Sequence, residues 1–174
     1  MSLRKFMGKS PKIHKDAYID DAATVIGDVE IGKETSIWPM AVIRGDVNKI
    51  KIGSRTNIQD GSILHVTSDS KFVPGGYPLI IGDDITIGHG AILHACTIEN
   101  TCLIGIGSTI LDGTIIKSNC MVAAGSLVPP NKVLESNMLY KGSPVKAIRE
   151  LTDREKDYLI FSAKHYVKTM KEYL

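Results

Sequence analysis

The sequence predicts an all-β fold, a parallel β-helix built from six-residue units, followed by a C-terminal α-helix. Three observations carry this reading. Large aliphatic residues recur at a step of six. A small residue stands two positions ahead of most of them. The C-terminal segment abandons that step for helical spacing behind a capping box.

The stride begins with Ile19, Val25, Ile31, Ile37 and Ile43. After an insertion it resumes at Ile52, Ile58 and Leu64, and after a longer one at Ile81, Ile87 and Leu93. One shorter step leads to Ile98, and Ile104, Ile110, Ile116, Val122 and Val128 follow. Ala23, Thr35, Ala41, Thr56, Ser62, Ala91, Ser108, Thr114 and Ser126 form the small column. Residues two apart on a strand share a side, so each unit directs one large and one small side chain inward. Three units close a triangular coil. A coil cannot bury its aliphatics alone, so coils must stack to make a core. Such hexads resemble the left-handed β-helix family, and the left hand is implied by that resemblance, because ordinary parallel crossovers are right-handed.

The repeat spans about residues 13–135. Beyond it, Thr152 and Glu155 form a capping box. Tyr158, Leu159, Ser162, Tyr166, Met170 and Tyr173 then follow at helical spacing. This predicts a helix over about 153–172 that packs on the β-helix, with Gly142-Ser143-Pro144 in the connection. The whole chain, 1–174, reads as one domain.

Composition narrows the function classes. Hydrophobic residues are 43% and charged residues 23% of the chain, as in an ordinary globular protein. A net charge of +2 gives no electrostatic footprint for nucleic acid. No apolar run approaches the ~20 residues that cross a bilayer, and the N-terminus lacks the apolar core of a secretion signal. The expected location is the cytoplasm. Cys96, Cys102 and Cys120 all fall in the small inward column. They read as wall residues without disulfides.

The hexad frame also sorts the histidines. Ile37, Ile58 and Ile87 lie on one face (A), Ile43, Leu64 and Leu93 on the next (B), and Ile52, Ile81 and Ile98 on the third (C). His65 and His94 each follow the aliphatic of face B, so both point outward, one coil apart. Arg44 holds the same slot one coil earlier. Strands ~4.8 Å apart allow two such imidazoles to share a metal at ~2.0–2.1 Å from each. His89 stands at the corner that ends face A and cannot easily reach that metal. A neighbouring chain could bring its own His89 there. The pattern predicts a cyclic homotrimer with a metal at each subunit interface.

Arg44-Gly45-Asp46, Asn57-Ile58-Gln59-Asp60 with His65, and His89-x-x-x-x-His94, set in hexads with a C-terminal helix, resemble the γ-class carbonic anhydrases and their relatives. The resemblance covers nearly the whole chain. It implies a homotrimer with zinc, or iron or cobalt, held by His65 and His94 of one subunit and His89 of the next. It implies that Gln59 hydrogen-bonds the metal-bound water or hydroxide, that Asn57 helps hold substrate or product, and that Tyr166 reaches the pocket. It further implies that Arg44 and Asp60 bridge subunits and that Asp46 braces this network. The chemistry is reversible hydration of carbon dioxide to bicarbonate: three neutral imidazoles leave the cation able to bring the pKa of a water to about 7.

The chain departs from the best-characterised type of that family. Val47 follows Asp46 where that type has a glutamate, and the loop Thr67 to Pro78 (TSDSKFVPGGYP) has one Asp and no Glu. The usual proton-shuttling carboxylates are missing, which implies slow hydration or another substrate. Two other readings stand beside the lyase. One is a hexapeptide-repeat acyltransferase or CoA-thioester hydrolase. The other is a non-catalytic trimer clamped by its metal.

Overall fold

In a computed structural model, which describes residues 2–174, the hexads wind into a left-handed parallel β-helix with three faces. On face A the strands Tyr18–Ile19, Ser36–Ile37, Asn57–Ile58, Thr86–Ile87, Leu103–Ile104 and Met121–Val122 stack in parallel. On face B, Ile43 registers with Leu64, Leu64 with Leu93, and Leu93 with Ile110. On face C, Ile52 registers with Ile81 and Ile81 with Ile98. The three columns read from the stride are therefore the three faces.

Their aliphatics fill the interior. Ile37, Ile43, Ile58, Ile87, Leu93, Ile104 and Ile110 are fully buried, each worth ~1.5–3 kcal/mol of transfer free energy. The small column completes the wall. Thr56 donates its hydroxyl to the Gly82 carbonyl at 2.9 Å and Ser62 to the Gly88 carbonyl at 3.1 Å, tying one coil to the next. Cys96, Cys102 and Cys120 are buried free thiols in that wall. Burial pushes the Cys96 thiol pKa up.

Two strands, Thr24–Ile31 and Val42–Ile52, run from face B around the corner onto face C. The corner is tight. A Cβ on Gly45 would stand 2.6 Å from the Asp28 carbonyl oxygen of the coil above. Glycine is required there, and it fixes where Arg44 and Asp46 leave the backbone.

The β-helix is longer than the repeat suggests. Ser2–Arg4 pairs with the start of Thr24–Ile31, and Met138–Gly142 adds below Met121–Val122. The stride does run on, through Leu134 to Tyr140, but there an aromatic replaces the aliphatic. Tyr140 is buried, and its hydroxyl accepts from the Glu135 amide at 2.7 Å. Gly142-Ser143-Pro144 does not lead directly to the helix. It turns an antiparallel hairpin between Met138–Gly142 and Val145–Glu150, with a cis Ser143–Pro144 bond.

The helix spans Asp153–Lys171, starts on the predicted Thr152–Glu155 capping box, and lies along face A. Leu159, Ser162, Ala163 and Met170 are buried, whereas Tyr158 and Tyr173 of the predicted stripe are mostly exposed. Tyr166 packs edge-on against Trp38 with centroids 5.7 Å apart, and Tyr173 does so at 5.2 Å. Among the described residues, no helix is long and apolar enough to cross a membrane.

Candidate metal centre

The register of face B places His65 directly opposite His94 on the adjacent coil. Both side chains point outward, and His65 Nδ1 stands 3.1 Å from His94 Nε2. The other nitrogen of each ring meets a carboxylate. His65 Nε2 lies 3.0 Å from Asp46 Oδ1, and His94 Nδ1 lies 2.6 Å from Asp112 Oδ1. Burial opposes ionisation of Asp46, but hydrogen bonds from Arg44 and His65 outweigh it and hold its pKa below the ordinary value. At Asp112 burial is likewise outweighed, by hydrogen bonds from Thr67 and His94. Burial, aided by the nearby Arg44 charge, lowers the His65 pKa against the pull of Asp46.

An ionised carboxylate only accepts, so each imidazole turns its N–H to its aspartate. Two lone pairs are then left facing each other at 3.1 Å, an arrangement that repels unless a cation or a proton lies between them. Two nitrogens at ~2.0–2.1 Å from a tetrahedral ion stand ~3.3 Å apart. Carboxylates behind the ligand nitrogens are the usual support of a metal-bound histidine. The donor set fits a divalent metal of the zinc type.

Within one protomer, no third ligand joins the pair, and no group of three His, Cys, Asp or Glu converges among the described residues. His89 stands at the corner between faces A and B, beside Gly90, whose positive φ makes the turn. It is half-exposed, and its Nδ1 meets Asp60 Oδ2 at 2.9 Å. Asp60 and His89 hold the same corner slot on successive coils. Arg44 pairs with Asp46 and Asp60 with His89, so Arg44 and Asp60 do not meet within the protomer.

Gln59, His89 and Tyr166 share a second place, a cleft of about 430 Å³ between face A and the helix. Its walls are mostly apolar, including Ile106, Met121, Val122 and Leu139, with Tyr158 and Ser162 on the helix side. Burial, with the Asp60 charge adding to it, raises the Tyr166 pKa. Asn57 is fully buried behind Gln59. Gln59 Nε2 donates to Asn57 Oδ1 at 3.0 Å, and Asn57 Nδ2 donates to Thr86 Oγ1 at 3.1 Å. Thr86 Oγ1 meets Ser162 Oγ of the helix at 2.9 Å. This buried series turns the Gln59 amide nitrogen inward and leaves its carbonyl oxygen free to accept.

A family profile described as Bacterial transferase hexapeptide (six repeats) matches residues 10–45 and 95–130. Protein YrdA of Escherichia coli strain K12 is 55% identical over 172 residues, covering 99% of this chain and 94% of that one. A protein named Carbonic anhydrase from Geobacillus kaustophilus is 53% identical over 148 residues, covering 85% and 78%. The chain belongs to the γ-class carbonic anhydrase-like family of hexapeptide-repeat proteins. A crystal structure of a hexapeptide transferase family protein from Anaplasma phagocytophilum superposes with a TM-score of 0.92 at 40% identity, over 99% of this chain and 98% of that one.

In this γ-class carbonic anhydrase-like chain, the repeat places His65 beside His94 and the resemblance names Asp46 as a brace, but neither marks Asp112 or Thr67. Asp112 reads in sequence as a turn residue before Gly113, and Thr67 as the first residue of a loop. The one available signal was that Asp112 sits at the end of face B one coil after His94, within reach of its ring.

Proposed function

We propose that this protein is a γ-carbonic anhydrase-like metalloenzyme that hydrates carbon dioxide reversibly at metal sites shared between subunits of a homotrimer. The observation that carries this reading is the pair of facing imidazole lone pairs, each backed by a carboxylate. His65 and His94 hold the cation from one subunit and His89 from its neighbour, which the corner position of His89 favours. Zinc, iron or cobalt each suits three imidazoles. The cation, when bound, supplies a Lewis acid that acidifies water to near neutral pH.

The chain's own residues do the rest. Asp46 and Asp112 orient the two imidazoles. Gln59 offers a carbonyl oxygen fixed by Asn57, suited to accept a hydrogen bond from the reacting water and aim its lone pair. The apolar cleft beside it admits carbon dioxide and excludes bulk water. With Val47 in place of a shuttle carboxylate, proton removal falls to buffer, so turnover is slow and buffer-dependent.

That cleft favours a second reading, because it is larger than carbon dioxide requires. An acyl group would fill it, as in a hexapeptide-repeat acyltransferase or CoA-thioester hydrolase. Stopped-flow carbon dioxide hydration on zinc-, iron- and cobalt-loaded protein, with His65→Ala as control, tests the first reading. Metal-dependent hydration lost in His65→Ala is expected. A full metal site without hydration above background would leave the acyl reading or a metal-clamped trimer.

A further inference from the structure

The two imidazoles of face B are held in the same way. Arg44 bonds Asp46, and Asp46 takes the ring N–H of His65. Thr67 bonds Asp112, and Asp112 takes the ring N–H of His94. Each brace has three members, an outer donor, a carboxylate and an imidazole. The first brace includes the Arg-Gly-Asp motif. The second is made from residues no motif marks.

Asp112 has no freedom in this arrangement. Its Oδ1 accepts from His94 and its Oδ2 from the Thr67 hydroxyl, so neither oxygen can leave without losing a partner. Its backbone is fixed as well, since its carbonyl accepts from the Asn131 amide at 2.8 Å, one coil on. Thr67 is equally constrained. It is the point where the chain leaves face B for the loop, and it exchanges two backbone hydrogen bonds with Tyr77 at the far end, at 3.0 and 3.1 Å. Asn48 Nδ2 adds a bond to the Thr67 carbonyl at 3.1 Å. The closed base of the loop thus fixes a hydroxyl, the hydroxyl fixes a carboxylate, and the carboxylate fixes a ring.

We propose that Asp112, locked by Thr67, is a positioning residue that holds His94 in its Nδ1–H tautomer and so aims Nε2 at the metal. The consequence for metal binding rests on the function proposed above, whereas the tautomer does not. Without Asp112, Nδ1 faces water, and the ring is free to carry its proton on either nitrogen. Every molecule with the proton on Nε2 has lost its ligand atom. Removing such an outer partner lowers metal affinity ~10–100-fold in comparable sites.

The full-length chain, ¹⁵N-labelled and stripped of metal, is examined by long-range ¹⁵N–¹H correlation at about pH 8.5, where ordinary imidazoles are neutral. His94→Gln identifies the signal. The wild type is expected to show His94 as the Nδ1–H form, Asp112→Ala a mixture or the Nε2–H form, and Thr67→Val a smaller shift the same way. Thr67→Ser, which keeps the hydroxyl, should restore the wild-type form. Cobalt affinity by chelator competition should fall ~10–100-fold in Asp112→Ala, with changed d–d bands, while a cooperative melt of the metal-free protein shows that the variant still folds. A pure Nδ1–H His94 in Asp112→Ala would overturn the assignment, as would unaltered affinity in a variant whose wild type binds cobalt. If the wild type takes up no cobalt, the metal reading fails and the tautomer alone decides the role of Asp112.

Discussion

Thr86→Val is the sharpest probe of the buried series behind Gln59, because it keeps shape and removes one hydroxyl. That hydroxyl accepts from Asn57 Nδ2 at 3.1 Å and meets Ser162 Oγ at 2.9 Å. Asn57 keeps its longer bond to the Ile85 carbonyl at 3.3 Å, but the buried Ser162 hydroxyl loses its side-chain partner. An orphaned buried polar group costs ~1–3 kcal/mol. One full orphan and one weakened donor therefore predict a loss of about 2–4 kcal/mol, read as a shift of the urea midpoint at constant m-value. Thr86→Val/Ser162→Ala removes the orphan together with its partner. The double variant should therefore be more stable than Thr86→Val alone, although it carries one more substitution. Activity should fall in both, because Asn57 no longer holds the Gln59 amide firmly. If Thr86→Val melts like the wild type, or the two substitutions simply add, the series is not what orders the site.

Three further outcomes follow from other parts of the molecule. Gly45→Ala places a methyl 2.6 Å from the Asp28 carbonyl oxygen; overpacking of this kind costs ~1–3 kcal/mol, measurable by denaturation. His89→Ala should abolish tight metal binding in equilibrium dialysis yet leave the melting of metal-free protein unchanged, since His89 is half-exposed at a corner. Glu155 in the capping box is held down to about 2 by Arg149 and by the Thr152 backbone and hydroxyl. Its ionised form contributes stability above the ordinary value of 4.5, and that share is lost as the pH falls from there towards 2. Acid melts of the wild type and Glu155→Gln should differ at neutral pH and converge at the acid end of that window.

The columns of the β-helix were legible because each coil repeats one inward position, and Ile58, Ile87 and Ile104 keep the stride. The same regularity gave the His65–His94 pair, since equal slots on adjacent coils must be neighbours. The stride weakened at the ends, where Tyr140 replaces an aliphatic and the last coil closes with a hairpin rather than another turn. Outward positions were harder. Asn57 points away from the core, yet the C-terminal helix covers face A and buries it, so it stands behind Gln59. Asp112 and Thr67 were illegible for a related reason. A carboxylate at a corner and a threonine at a loop base take their roles from the coil beside them, which no local pattern encodes.

Subunit complementation tests the central claim, a metal shared between chains, most directly. His65→Ala and His89→Ala chains, differently tagged and co-expressed, are purified as mixed trimers and their bound metal is counted. In a ring where His65 and His94 of one chain face His89 of the next, every mixed trimer retains a single intact site, while each variant alone retains none. The account predicts about one metal per mixed trimer, and hydration activity returning with it. Mixed trimers that bind no more metal than either variant alone would contradict it.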